Sequence, residues 1–326
     1  MTMPPPPPSV ASSSHASIFT SLAAHIRGSI IITPWLLYLL AADVALSLLL
    51  PVKLVLPTPT YHLCSLIAGS VWAWIQHIFV DYNNANIIVE SNTDGATIPF
   101  RESAIVVANH VSWTDFYLIQ DLAQRAGMLS RCRWFAKKSL RWVPFLGWGL
   151  WAMGMPLVSR KWTSDRRELN KVFDGIVQRK WPVWLISYSE GTRFTRRKHA
   201  STLSFCESRN LPIPKHTLWP RTRGFVSTVQ ALRKTSHVRA VYDMTLAYSS
   251  QGSFMTAPSF WATIAAPLNG IRGDLSRAGH RFFVRLDRFD LDDLPESDEE
   301  LGLWLESRWL AKDRKLQELE RMWELD

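Results

Sequence analysis

Residues 29 to 50, SIIITPWLLYLLAADVALSLLL, constrain this chain more than any other stretch, because 22 residues carry a single charge, Asp43. At about 1.5 Å of helix rise per residue, such a run reaches across a bilayer core of about 30 Å. The segment from Pro51 to Pro59 breaks it, and a second apolar helix candidate runs from Tyr61 to Val80. Its His62, Gln76, His77 and aromatic residues suit an obliquely inserted or interface-lying helix as well as a spanning one. Both segments could instead be core helices of a soluble protein, although the first exceeds what a buried helix ordinarily needs. Asp43 demands a partner or an interface, since a carboxylate in lipid is costly. Residues 1 to 27, Pro- and Ser-rich at the start, read as a disordered tail without the arginines of a mitochondrial presequence. The apolar run is too long for a signal-peptide core, so an uncleaved hydrophobic anchor is expected over residues 28 to 82.

From residue 83 the pattern changes to short apolar stretches between longer mixed ones. Strands are expected at Ile87 to Glu90, Ala104 to Ala108, Arg133 to Ala136, Pro156 to Ser159, Val183 to Ser187, Val238 to Ala247 and Phe282 to Leu286. Helices are expected near 112 to 125, 164 to 179, 200 to 210, 224 to 234 and 297 to 323, the last placing Leu301, Trp304, Leu305 and Trp309 at helical spacing for packing. Strands alternating with helices indicate an α/β domain over residues 83 to 326, its central sheet covered by helices on both faces. Ligands gather in such sheets where strands end and helices begin.

The net charge of +9 is unevenly spread: residues 1 to 100 hold −2, residues 101 to 289 hold +19 and the last 37 hold −8. So basic a central block suits anionic partners: phosphate-bearing substrates, membrane surfaces or nucleic acid. The three cysteines form neither an even disulfide framework nor metal-ligand spacing, and read as reduced thiols.

Chemistry concentrates in VVANHVSWTDFYLI, residues 106 to 119, where His110 and Asp115 come after an apolar strand candidate. An imidazole whose second nitrogen meets a carboxylate is a general base near neutral pH. The same residues read equally as a helix start, with Ser112 capping a helix from Trp113 to Arg125 and Asp115 at its third position. Residues five apart sit about 140° from each other on a helix, so the pair meets only if His110 precedes it. Downstream, an apolar strand candidate runs into Ser189-Glu190-Gly191-Thr192-Arg193, where the glycine allows close backbone approach and Arg193 offers a planar fork for phosphate. Arg196, Arg197 and Lys198 read as a solvated or membrane-facing run.

Four motifs in register, NH-x4-D at 109 to 115, K-x2-L-x3-P-x2-G at 137 to 147, EGTR at 190 to 193 and PRTRGF at 220 to 225, resemble the glycerophospholipid acyltransferase family. The wording is similar to the eukaryotic branch of lysophosphatidate, lysophosphatidylinositol and lysocardiolipin acyltransferases. The resemblance implies a mixed α/β sheet, an endoplasmic reticulum membrane location, and fatty acyl transfer from acyl-CoA to a lysophospholipid hydroxyl without metal or other cofactor. It implies His110 as general base, Asp115 as its orienter, and Glu190, Gly191, Thr192 and Arg193 at the acceptor, with Lys138 and Arg160 also facing the glycerophosphate. Backbone N–H groups near the start of the 112 to 125 helix are the expected oxyanion donors. A catalytically retired, membrane-anchored lipid-binding protein on the same fold is the alternative. The sequence holds no G-x-S-x-G elbow for a lipase-type serine and no recognised nucleic-acid module.

Overall fold

The computed structural model describes residues 11–93, 98–159 and 162–325. Three helices open the chain: α1 (Ala11–Leu48), the short α2 (Leu50–Val55) and α3 (Pro57–His77). Helix α1 begins well inside the expected tail of residues 1 to 27, and Arg27 is tied down by three hydrogen bonds, to Asn83 Oδ1 and the carbonyls of Tyr82 and Ile271. Residues 11 to 27 lack prolines or glycines, so nothing local stops the helix from running back through them. Pro57 occupies the first position of α3, where its missing N–H costs nothing.

The α/β part comprises first β1 (Ile87–Ser91), β2 (Ser103–Ala108), α4 (Asp115–Arg125), β3 (Cys132–Trp134), β4 (Ala136–Lys137), α5 (Leu146–Ala152) and β5 (Leu157–Val158). Then come α6 (Trp162–Arg179), β6 (Trp184–Tyr188), α7 (Arg196–Ser208), α8 (Thr222–Leu232), β7 (Val238–Ser250), β8 (Ser253–Phe254), α9 (Phe260–Ile264), β9 (Leu268–Asn269), β10 (Arg272–Gly273), β11 (His280–Asp290) and α10 (Asp298–Leu325). The main sheet has the order β1-β11-β7-β2-β6-β3, with β8 beside β7. Only the β11–β7 and β7–β8 pairs are antiparallel, which makes the sheet mixed.

Alternation along the strands divides the core in two. Ala104, Val106 and Ala108 of β2 join Tyr242, Met244, Leu246 and Tyr248 of β7 on the face covered by α3 and α4. Ile105 and Val107 point the other way, toward α6, α8 and α10. Both faces of β2 are buried, which is why its sequence is an unbroken apolar run.

Phe19–Leu48 and Pro57–Tyr82 are long and apolar enough to cross a membrane, yet they are not a separate appendage. Ile32, Trp35, Val71, Ile75 and Phe79 belong to the same core as α4, and Phe79 stacks on Tyr117 with ring centres 4.0 Å apart. The boundary expected between residues 82 and 83 is therefore crossed by continuous packing.

Candidate active site

Strand β2 ends at the centre of the sheet, and Asn109 turns inward to secure the loop between that strand and α4. Its side chain accepts from Leu246 N–H at 2.8 Å and donates to Leu246 O at 2.9 Å, fastening the loop to β7. His110 comes next, ahead of the helix, with Nδ1 2.7 Å from Asp115 Oδ2. Helix α4 starts at Asp115 rather than Trp113, and Ser112 is not its cap. The reason lies in the Asp115 carboxylate, which accepts from Val111 N–H at 2.8 Å, Ser112 N–H at 3.1 Å and the Tyr248 hydroxyl at 2.8 Å as well. It braces the loop ahead of the helix. Near the start of the 112 to 125 helix, where oxyanion donors are expected, Ser112 N–H is thereby spent on the carboxylate, as is Val111 N–H just before it.

Asp115 is fully buried, whereas the His110 side chain is 21% exposed. The imidazole lies nearly parallel to the Tyr188 ring, with centroids 3.9 Å apart. Burial pushes the Tyr248 hydroxyl well above its usual range, so it stays a neutral phenol and donates to Asp115. With Nδ1 engaged by the carboxylate, Nε2 is the nitrogen left to take a proton.

His110 lines a cleft of about 630 Å³ whose walls mix aromatic and aliphatic groups, such as Phe135, Val158 and Phe225, with Lys137, Arg221 and Arg223. Gly191 has φ +68°, and a Cβ there would come 3.2 Å from Arg221 Cδ. Arg221 N–H donates to Ser189 O at 2.7 Å, and Phe194 N–H donates to His110 O at 2.7 Å. The 189 to 194 loop is thus joined to the histidine on one side and to the PRTRGF segment on the other.

The remaining expected site residues are placed differently. Arg193 is exposed and stands off the cleft wall, and Thr192 is engaged by Lys198. Lys138 opens a 3-10 turn (Lys138–Trp142) beyond β4, leaving its neighbour Lys137 on the wall. Arg160 lies outside the described residues. Glu190 is buried behind the cleft, where Trp309 Nε1 donates to its Oε1 at 3.3 Å. Helix α10, expected only to pack, thus holds the site from behind. Asp313 accepts from the N–H groups of Lys215, His216 and Thr217 at 2.9, 2.7 and 3.2 Å, fixing the chain that leads into PRTRGF.

Burial pushes the Glu190 carboxyl well above the usual carboxylate range, offset in part by the Trp309 hydrogen bond. The unfolded chain releases this proton near pH 4.3, about the free-glutamate value, while the folded chain keeps it. Stability therefore falls as pH rises from the unfolded pKa toward the folded one. Glu190→Gln, uncharged throughout, is expected to gain in melting temperature over the native chain as pH goes from about 5 to about 8. A difference that stays flat or shrinks over that range would mean that the fold holds the carboxyl ionised.

The Acyltransferase family profile matches residues 88–249, from β1 to the end of β7, enclosing the His110–Asp115 pair, Gly191 and Arg221. Human 1-acyl-sn-glycerol-3-phosphate acyltransferase delta is 35% identical over 215 residues, covering 65% of this chain and 52% of that protein. This chain belongs to the glycerophospholipid acyltransferase family. Another acyltransferase relative, 1-acyl-sn-glycerol-3-phosphate acyltransferase 2 of Arabidopsis thaliana, is 32% identical over 250 residues, or 77% of this chain and 60% of that protein. The chain thus spans between half and two thirds of the length of these acyltransferases. The crystal structure of the 1-acyl-sn-glycerophosphate (LPA) acyltransferase PlsC from Thermotoga maritima covers 86% of this chain at 17% identity with a TM-score of 0.41, over 95% of its own length.

Proposed function

We propose that this chain is an acyl-CoA-dependent O-acyltransferase that esterifies the free hydroxyl of a lysophospholipid of the 1-acylglycerol-3-phosphate type, in phospholipid biosynthesis or remodelling at the endoplasmic reticulum membrane. The observation that carries this reading is the His110–Asp115 pair at 2.7 Å, with the imidazole on the wall of a cleft where Lys137, Arg209, Arg221 and Arg223 outnumber Asp165 and Glu306. His110 Nε2 takes the acceptor's hydroxyl proton while the alkoxide oxygen attacks the thioester carbonyl. The C–S bond of the resulting tetrahedral intermediate then breaks, and the CoA thiolate recovers the proton from the imidazolium. Asp115 holds the ring in the required tautomer and stabilises its charge. A thioester is already activated, so this sequence calls on no covalent enzyme nucleophile and no cofactor beyond acyl-CoA as co-substrate. The two apolar N-terminal helices support a membrane-embedded acceptor.

Reconstituted chain given labelled acyl-CoA and a panel of lysophospholipids tests the proposal. Lysolipid binding without transfer to any acceptor would replace it with the retired lipid-binding reading.

The acceptor's phosphate is assigned to Arg221, with Arg223 and Lys137 beside it. A charge-assisted hydrogen bond is worth about 1.5–3 kcal/mol, so Arg221→Ala is expected to raise the acceptor KM by roughly 10- to 100-fold. Arg193→Ala should raise it less. A larger KM effect at Arg193 would return the phosphate to the EGTR arginine.

A further inference from the structure

Helix α5 and the 3-10 turn before it carry an apolar surface that no described part of the fold covers. Trp142 is 78% exposed and Trp151 56%, and between them Phe145 and Trp148 meet edge to face at 5.5 Å. Single exposed aromatics are ordinary, but four in ten residues form a patch of the kind that marks a contact surface.

The neighbours of that surface indicate its partner. Helix α5 rides directly on the long apolar helix α1: a Cβ at Gly149 would lie 2.8 Å from Asp43 Oδ1 and 3.4 Å from Leu46. Lys53 of α2 donates to the carbonyls of Trp151 and Ala152 at 3.1 and 2.9 Å, tying the end of α5 to the anchor. Helix α2 extends the same apolar character, with Leu54 84% and Val55 78% exposed. At the opposite end of the segment, Lys137 lines the active-site cleft. The patch is therefore tied to the anchor at one end, and at the other the chain enters it directly from Lys137 on the cleft wall.

We propose that the 138 to 152 segment is an interfacial docking element of the catalytic domain, seated on a phospholipid bilayer. Tryptophan and phenylalanine favour the boundary between headgroups and acyl chains, where an aromatic body is desolvated and a polar edge stays wet. Arg141, whose guanidinium lies over the Trp142 ring at 5.1 Å, and Lys138 flank the aromatics and complement anionic headgroups. Seating this element brings the mouth of the cleft to the depth at which a lysophospholipid's headgroup and free hydroxyl lie. The inference rests on the membrane setting of the proposed function but not on its chemistry.

The test needs no turnover. The three native cysteines are buried, so Trp142→Cys and Trp148→Cys each offer one reactive thiol for an environment-sensitive NBD label on the full-length chain. Asp292→Cys, exposed in the turn after β11 at the other end of the sheet from His110, is the control. In vesicles of phosphatidylcholine with an anionic phospholipid, labels at both tryptophan positions are expected to shift to the blue. Acyl-chain spin-labelled lipid should quench them by about half, the Asp292→Cys label remaining bright. Labels at 142 and 148 that escape lipid quenching overturn the proposal, whether they sit in water or are shielded by another protein copy. Absence of acyl transfer in the native chain, with quenching of the labelled variants intact, would instead count against the catalytic reading alone.

Discussion

His110→Ala is expected to reduce acyl transfer by a factor on the order of 10²–10⁴, the usual contribution of a positioned general base. Substrate binding should change little, because the imidazole is one group on a wall of many. Asp115→Asn should fall nearly as far, for a different reason. The carboxylate receives His110 Nδ1, two backbone N–H groups and the Tyr248 hydroxyl at once. An amide can accept on one atom only, and an NH₂ facing Nδ1 favours the tautomer with its proton on Nε2, the nitrogen that must be free. The loss belongs to kcat rather than acceptor KM, and the double variant should be little worse than His110→Ala, since the two residues act as one unit. Steady-state assay of the reconstituted chain with labelled acyl-CoA measures all three. Transfer surviving in His110→Ala at more than about a tenth of the native rate would remove the histidine from the mechanism. Tyr248→Phe leaves Asp115 its other three donors, so it should cost far less.

How far these groups were visible in the sequence depended on the range of the interactions that place them. The apolar run of Ala104 to Ala108 announced β2 because a strand buried on both faces has no alternation to obscure it. The pair His110 and Asp115 was legible for a local reason, since five residues of loop and first helical turn bring them together. Tyr248 was not, although strand parity offered a signal: it shares a face with Tyr242, Met244 and Leu246, the face on which α4 lies. The arginines show the limit most clearly. EGTR and PRTRGF each supply basic residues, and only the packing of Arg221 against Gly191, 30 positions away, decides which of them reaches the cleft. The position of Glu190 behind the cleft was hidden for the same kind of reason. Its partner Trp309 arrives from a helix more than a hundred residues downstream, and apolar spacing on that helix gave no hint of a hydrogen bond.

That helix sets up the second large effect. Asp243, in the middle of β7, is buried in ion pairs with Lys312 and Arg308, and Arg308 reaches on to Asp287 Oδ2 of β11 at 2.6 Å. Lys312 is itself 1% exposed and donates also to Met244 O at 2.7 Å. Removing the carboxylate strands an ammonium in the core, which costs about 3–5 kcal/mol. Asp243→Ala is therefore expected to lower the melting temperature by something on the order of 10 °C. Desolvation already disfavours the charged form of Lys312, and the neighbouring carboxylate is what offsets it. Combining Asp243→Asn with Lys312→Met should recover a large part of the loss, because replacing both partners of a buried pair is far milder than breaking it. A native-like melting temperature in Asp243→Ala would show that water reaches the network. The consequence extends to the cleft, since α10 carries both Trp309, which meets Glu190, and Asp313, which fixes residues 215 to 217. Loosening α10 from β7 slackens the supports of EGTR and PRTRGF together. Acceptor KM should therefore rise in Asp243→Ala at temperatures where the chain is still folded, and return toward native in the double variant.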